Sequence, residues 1–374
     1  MRSRQLTALG AAAALALGAA ACGSSSSGGG SSSGGGSGSS NANSGGGGGG
    51  TINGAGSTFE APVLMQWGND LKSQGVTVNY QGVGSGAGVM QFTQGAVDFA
   101  GSDPALKDAQ IAAVKSKGEP VHIPTVLGAI NISYNLPGVP KGLKLDGQTA
   151  ADLFLGKVKT WNDPEIAKQN PGAKLPATNV TVIHRSDSSG TTKGFTTFLA
   201  AYSPTWKSKV GADTTVKWPA GTGAKGNAGV AAAVKQQPGA VGYVEEAYAL
   251  QNNFTSAAVK NKSGSYVEGT LQSTTGAGEG LKIPSDLRYS AINAPGAQAY
   301  PIASQTFVIV YKDLCKAGVK QPAAKALAKF LNYGLSPAGQ KSAQQLQYAP
   351  LPAALLSKAQ ANVKSLECNG SPLG

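Results

Sequence analysis

Apolar positions along this chain fall into two kinds of run. Short stretches dense in branched and aromatic residues (Val76 to Tyr80, Val97 to Ala100, Val180 to His184, Ala240 to Val244 and Thr306 to Tyr311) have the length and bounding turns of β-strands. Between them apolar residues recur at helical spacing, most clearly Phe59, Val63, Trp67 and Leu71, and again Phe195, Phe198, Leu199 and Tyr202. Each such helix carries one apolar stripe, which packs against a sheet, so the alternation predicts an α/β fold. Residues 51 to 374 are too many for one comfortable core and fit two lobes of ordinary domain size.

A second regularity lies in the turns. Four times a strand runs into a Gly-, Ser- or Thr-rich turn that is expected to open a helix: Thr51 to Thr58 before the Phe59 helix, Val78 to Ser85 before Val89 to Phe92, Val97 to Asp103 before Pro104, and Val180 to Thr191 before the Phe195 helix. The first N–H groups of a helix have no internal partner and carry partial positive charge, so each start is a seat for an oxyanion. Read singly, Thr58, Ser85 and Ser189 are plain helix caps, and Asp103 with Pro104 is a cap and first-turn pair. Four starts in one basic chain point to a shared anion site.

The segment from His184 to Thr191 is the richest of the four. Arg185 offers a planar fork matched to a tetrahedral oxyanion, Asp187 is placed to orient it, and Ser189-Gly190-Thr191 form the turn into a helix. The bland reading of the same residues is a surface turn with a local Arg185–Asp187 pair. A hydrolase reading takes Ser189 as nucleophile, His184 as base and Asp187 as orienter, but crowds all three within six positions of one segment. Metal chemistry is disfavoured, since His122 and His184 are the only histidines and no Cys/His cluster has ligand spacing. The glycine runs at 82–87 and 221–226 match no phosphate-loop signature with its GK[ST] ending.

The amino terminus adds a location. Arg2 and Arg4 precede an apolar run from Leu6 to Ala21, about 15 residues and too short to span a bilayer, which reads as a secretory leader over 1–21. Cys22 follows three alanines, as in the lipobox of bacterial lipoproteins where the cysteine is acylated, although Ala19 stands where leucine is usual. An ordinary cleavage with an idle thiol is the alternative. Gly23 to Gly50 is nearly pure Gly and Ser and reads as a tether with a mean reach on the order of 30 Å. Cys315 and Cys368 are left as an even pair in an exported chain; they either bridge or remain two thiols, and spacing alone does not choose. Losing Arg2 and Arg4 with the leader takes the formal charge from +12 to about +10, a bias toward anions, while scattered lysines without interleaved aromatics exclude a nucleic-acid partner.

Together, Gly54-Ala-Gly-Ser-Thr-Phe59, Asn79 to Ser85, Val97 to Asp103 and Arg185 to Thr191 resemble the phosphate-binding proteins of Pst-type ABC importers. Supporting stretches are Phe154 to Lys157, Val216 to Pro219, Gly223 to Gly229, Pro238 to Glu245 and Tyr348 to Pro352. The resemblance implies a type II periplasmic-binding-protein fold. Its two lobes would be 51–128 with 302–374, and 129–301, crossing near Leu127 to Ala129 and Tyr300 to Ala303. It also implies phosphate in the cleft, held by Thr58, the Phe59 N–H, Ser85 and Asp103 on one side and by Arg185, Ser189, Gly190 and Thr191 on the other.

Partners would be inorganic phosphate and the permease and ATPase of the transporter, with the chain a lipid-anchored monomer that is not an enzyme and uses no cofactor or metal. Phosphate at neutral pH keeps a proton that Asp103 accepts, whereas sulfate has none to give. Glu60 departs from the neutral residue usual at its position, as Ser186 and Ser188 do from smaller ones. Another oxyanion, or a sensing or surface role without transport, are the alternatives.

Overall fold

The computed structural model describes residues 50–139 and 141–373. The leader, Cys22 and the tether through residue 49 lie outside them. Eight strands make the main sheet: β1 (Gly50–Gly56), β2 (Val76–Gly82), β3 (Phe99–Ser102), β4 (Pro120–Tyr134), β5 (Thr181–Arg185), β6 (Thr222–Ala224), β7 (Ala240–Glu245) and β8 (Ala303–Tyr311). Their order is β2-β1-β3-β8-β4-β7-β5-β6, with the short strand Thr255–Ser256 also pairing with β4. Gly50, expected in the tether, is instead the first residue of β1, because its N–H donates to Gly75 O at 2.9 Å and it pairs with Val76.

Six helices matter for the site: α1 (Ala61–Leu71), α2 (Ser85–Gln94), α3 (Asp108–Val114), α4 (Gly190–Tyr202), α5 (Gly226–Gln236) and α6 (Glu246–Gln251). α1 buries Val63, Trp67 and Leu71 of the stripe its spacing predicts, together with Leu64, and α4 buries Phe195, Phe198 and Leu199 of its stripe with Tyr202 half-buried. Strands β7 and β8 are buried at every position and β4 at all but its first two, since helices cover both faces of the middle of the sheet.

Chain direction divides this sheet into two parallel groups. β2, β1 and β3 run parallel, as do β7, β5 and β6, and β8 and β4 join them through antiparallel pairings. β4 serves both groups: its stretch from Pro120 to Ala129 pairs with β8, and Ile130 to Tyr134 pairs with β7. The carboxyl ends of the two parallel groups meet beside this change of partner, which is where open α/β sheets bind ligands. Far along the chain, Cys315 and Cys368 are joined in a disulfide, with Cα atoms 4.7 Å apart.

Two expectations about helix starts fail. No helix opens at Pro104; residues 103–107 are irregular and α3 begins at Asp108. The carbonyls that would start a helix there are already taken, Asp103 O by Gln305 Nε2 at 2.8 Å and Pro104 O by Ser102 Oγ at 2.7 Å. Nor are Thr58 and Ser85 caps: α1 is capped at Glu60 and α2 at Gly84, leaving Thr58 in the preceding turn and Ser85 as the first helical residue. Ser189 is the cap of α4, accepting the Thr192 N–H at 3.1 Å.

Candidate functional site

At the end of β1 the chain turns through Ser57 and Thr58 into α1; β2 leads through Gly84 into Ser85; β3 ends on Ser102 and delivers Asp103. Opposite them, β5 ends on Arg185, followed by Asp187 and the Ser189-Gly190-Thr191 start of α4, and β6 leads through Gly226 to Asn227. Thr58, Ser85, Asp103, Arg185, Ser189, Thr191 and Asn227 are all buried. A β-carbon on Gly190 would lie 2.2 Å from Asp103 Oδ2 and 2.5 Å from Ser85 Oγ, so glycine there lets the two walls close on one point. Gly84 has φ +94°, and a β-carbon there would collide with Asp187 and with Ser188 O, whose oxygen accepts the Gly86 N–H at 3.0 Å.

Arg185 is held rigidly. Nε donates to Asp187 Oδ1 at 2.8 Å, Nη2 to Oδ2 at 2.5 Å, and Nη1 to Thr191 Oγ1 at 3.3 Å. Its backbone N–H donates to Tyr243 Oη at 3.1 Å. Burial pushes the Asp187 carboxyl up, but the Arg185 pairing and the Gly226 N–H, 3.0 Å from Oδ1, outweigh it and leave the group below its ordinary range. Ser189 Oγ takes the Thr192 N–H, so the Gly190 and Thr191 amides face the opening of α4.

Asp103 sits differently. Oδ1 accepts from Ser57 Oγ at 2.5 Å, while the buried Oδ2 has no hydrogen-bond partner among the described residues. Burial raises its pKa to about 6, against the pull of the Ser57 hydroxyl, Arg185 and Thr306. Glu60 lies behind it, fully buried, with Oε1 accepting from Thr125 Oγ1 at 2.7 Å and Oε2 without a hydrogen-bond partner among the described residues. Burial, reinforced by the Asp103 charge and opposed by Thr125 and Thr306, lifts Glu60 to about 8, so at neutral pH it is a neutral acid.

Every sequence-predicted side chain of the anion site converges here, along with Asp187. The Phe59 N–H is the exception in role: it donates to Ser57 Oγ at 3.0 Å, because that hydroxyl caps the turn into α1 in place of Thr58. Sequence reading missed four contributors. Ser57 bridges that turn to Asp103, Tyr248 Oη donates to Thr58 O at 2.7 Å, Tyr348 Oη donates to Phe59 O at 2.6 Å, and Asn227 touches both Thr58 and Thr191. Asn227 lies within the Gly223 to Gly229 stretch that supports the resemblance, directly after Gly226, which the structure places at φ +69° at the start of α5.

The residues of the hydrolase reading are engaged elsewhere. His184 stacks on Trp218 with ring centres 4.7 Å apart and has Nδ1 3.0 Å from Arg185 O. Among the described residues no group of three or more His, Cys, Asp or Glu converges as a metal site, and no helix is long and apolar enough to cross a membrane.

Residues 41–338 match the sequence model of the PBP superfamily domain. The phosphate-binding protein PstS of Pasteurella multocida is 39% identical over 319 residues, covering 84% of this chain and 90% of that protein. That of Methanocaldococcus jannaschii is 37% identical over 310 residues, covering 78% and 79%. The same fold appears in the solved phosphate-binding protein of Stenotrophomonas maltophilia, with a TM-score of 0.63 at 20% identity over 83% of this chain and 93% of that one. A high-affinity periplasmic phosphate-binding protein solved with phosphate gives 0.66 at 21% identity over 85% and 99%. The chain therefore has the α/β fold of the PBP superfamily and, by its sequence, belongs within it to the family of the phosphate-binding proteins PstS.

Proposed function

We propose that this chain captures inorganic phosphate outside the cytoplasm and delivers it to the permease and ATPase of an ABC-type importer. The observation that carries the reading is Asp103 Oδ2, a buried acceptor without a partner, placed against Gly190 and Ser85 at the mouth of α4. A buried acceptor left unpaired costs about 1–3 kcal/mol, and a proton carried by the ligand is what would pair it. Phosphate brings that proton together with oxygens for Arg185, for the hydroxyls of Thr58, Ser85, Ser189 and Thr191, and for the amides of Gly190 and Thr191. Sulfate brings none, so its oxygen meets the carboxylate as a like charge.

The lobes are 51–128 with 302–374, and 129–301, a division supported by the change of β4's partner after Ala129. Ligand contacts from both lobes favour the closed state, and closure is the signal a permease reads. The chain acts as a monomeric binding protein rather than a catalyst, held to the membrane through a lipidated Cys22 and the Gly/Ser tether.

Isothermal titration of the purified protein tests the function. Stoichiometric phosphate binding with sulfate excluded is expected; absence of phosphate binding overturns it. Release into the medium of a Cys22→Ala variant, with the parent retained on membranes, tests the anchor.

A further inference from the structure

Asn227 is fully buried at the start of α5, and each of its polar groups is committed. Its Oδ1 accepts the Glu245 backbone N–H at 3.1 Å. A backbone N–H can only donate, so this bond fixes which end of the amide is oxygen and turns both Nδ2 hydrogens the other way. One goes to Thr58 Oγ1 at 2.9 Å and the other to Thr191 Oγ1 at 3.2 Å, joining the β1 wall to the α4 wall. The Asn227 backbone N–H adds a second bond to Thr58 Oγ1 at 3.3 Å.

A threonine hydroxyl has two lone pairs and one hydrogen. Asn227 occupies both lone pairs on Thr58 Oγ1 through its N–H and its Nδ2. On Thr191 Oγ1 one lone pair takes Asn227 Nδ2 and the other takes Arg185 Nη1 at 3.3 Å. Neither hydroxyl can accept a further bond; each has only its hydrogen to give.

We propose that Asn227 is a positioning residue that locks the Thr58 and Thr191 hydroxyls as donors into the site, so that both demand unprotonated oxygens of the ligand. With those two positions fixed as donors, the proton of a bound phosphate is steered to the oxygen facing Asp103. The inference rests on the phosphate reading above and adds to it the part of the molecule that sets hydroxyl direction. Asn227 acts through the threonines rather than by touching the ligand.

The consequence is energetic coupling, which a merely structural asparagine would not show. Phosphate affinity is measured by isothermal titration for the parent, Asn227→Ala, the double variant Thr58→Val with Thr191→Val, and the triple combination, with thermal midpoints without phosphate as the folding control. Asn227→Ala is expected to weaken binding about 10- to 100-fold in the parent and less than about threefold when both threonines are already valine. Losses that multiply across the cycle overturn the proposal.

If Asn227→Ala does not fold, the isosteric Asn227→Asp takes its place: its carboxylate accepts from both hydroxyls and draws their hydrogens away from the ligand. Valine at 58 and 191 should then cost nothing further, and a full additional loss overturns the proposal. Failure of the parent to bind phosphate removes the broader reading, whereas parental binding with multiplying losses removes only the role of Asn227.

Discussion

On the wall built from β5 and α4, Arg185 is buried together with its counter-charge. Asp187 holds the guanidinium by two bonds, and its own carboxyl is kept ionised by that pairing and by the Gly226 N–H. On the wall built from β1 and β3 the carboxyls of Asp103 and Glu60 are buried with hydroxyls, not cations, as their hydrogen-bond partners, and both titrate upward, to about 6 and about 8. One wall carries a charge that pH does not change; the other carries protons that come and go. The first suits attraction of any oxyanion, and the second suits discrimination by ligand protonation. Each prediction below attacks one side of that contrast.

The largest effect is expected on the permanent wall. Arg185→Met removes the full cation and strands Asp187, a buried charge without its partner, so phosphate affinity should fall by about 2–5 kcal/mol, roughly 30-fold to several thousandfold. Arg185→Lys should recover only part of this, since an ammonium cannot make the two-point contact with Asp187. Titration calorimetry reads both, and affinity within a few-fold of the parent for Arg185→Met would break the assignment of attraction to this wall.

Next comes Asp103→Asn. The shape is kept but the amide can donate as well as accept, so phosphate should weaken by about 1–3 kcal/mol while sulfate, which the parent is expected to exclude, begins to compete. Sulfate exclusion as strict as the parent's would show that discrimination lies elsewhere.

The permanent wall was more legible in the sequence than the titrating one. Arg185, Asp187 and Ser189 to Thr191 follow one another along one strand-turn-helix segment, so local chemistry named them all. Asp103 was named by the resemblance and by a supposed helix at Pro104; that helix is absent, with Gln305 and Ser102 bonded to the carbonyls that would begin it. Gln305 is 202 residues away, and no local pattern announces such a bond. Glu60 read only as a charged departure beside Thr58 and turned out to be a buried neutral acid, a state set by burial and by the neighbouring Asp103 charge against the pull of Thr125 and Thr306, none of which is visible in the local sequence. The fold itself was readable because apolar periodicity is local; the changed partner of β4 and the bridging Asn227 depend on tertiary placement.

A smaller effect, growing as pH rises, is expected from Glu60. Its carboxyl titrates near 8 in the folded chain against an ordinary value of 4.5, so its contribution to stability is complete below pH 4.5, declines as pH rises, and is gone above about 8. Above pH 8 the ionised group also sets a second negative charge beside Asp103, and phosphate affinity should drop by up to about tenfold per pH unit. Glu60→Gln should flatten both profiles, raising the thermal midpoint at pH 8.5 more than at pH 5. Parallel profiles for parent and variant would mean that Glu60 is already ionised at neutral pH.

The smallest effect should come from Ser57→Ala. Ser57 Oγ has one hydrogen, and at 2.5 Å that hydrogen goes to Asp103 Oδ1, while the oxygen accepts the Phe59 and Glu60 N–H groups at 3.0 and 3.2 Å. The hydroxyl therefore ties the turn into α1 to the carboxylate and pulls down a pKa that burial has already raised to about 6. Without it, Asp103 should hold its own proton to higher pH and be less available to accept the hydrogen bond from phosphate's proton. One hydrogen bond to a carboxylate is worth about 1.5–3 kcal/mol, and freeing the Phe59 N–H for a phosphate oxygen offsets part of that, so a net loss of about threefold to tenfold is expected. The loss should be greatest near pH 6 and shrink toward pH 8, where Asp103 is ionised with or without Ser57. A loss independent of pH would place the role of Ser57 in the α1 turn alone and leave the protonation of Asp103 to burial.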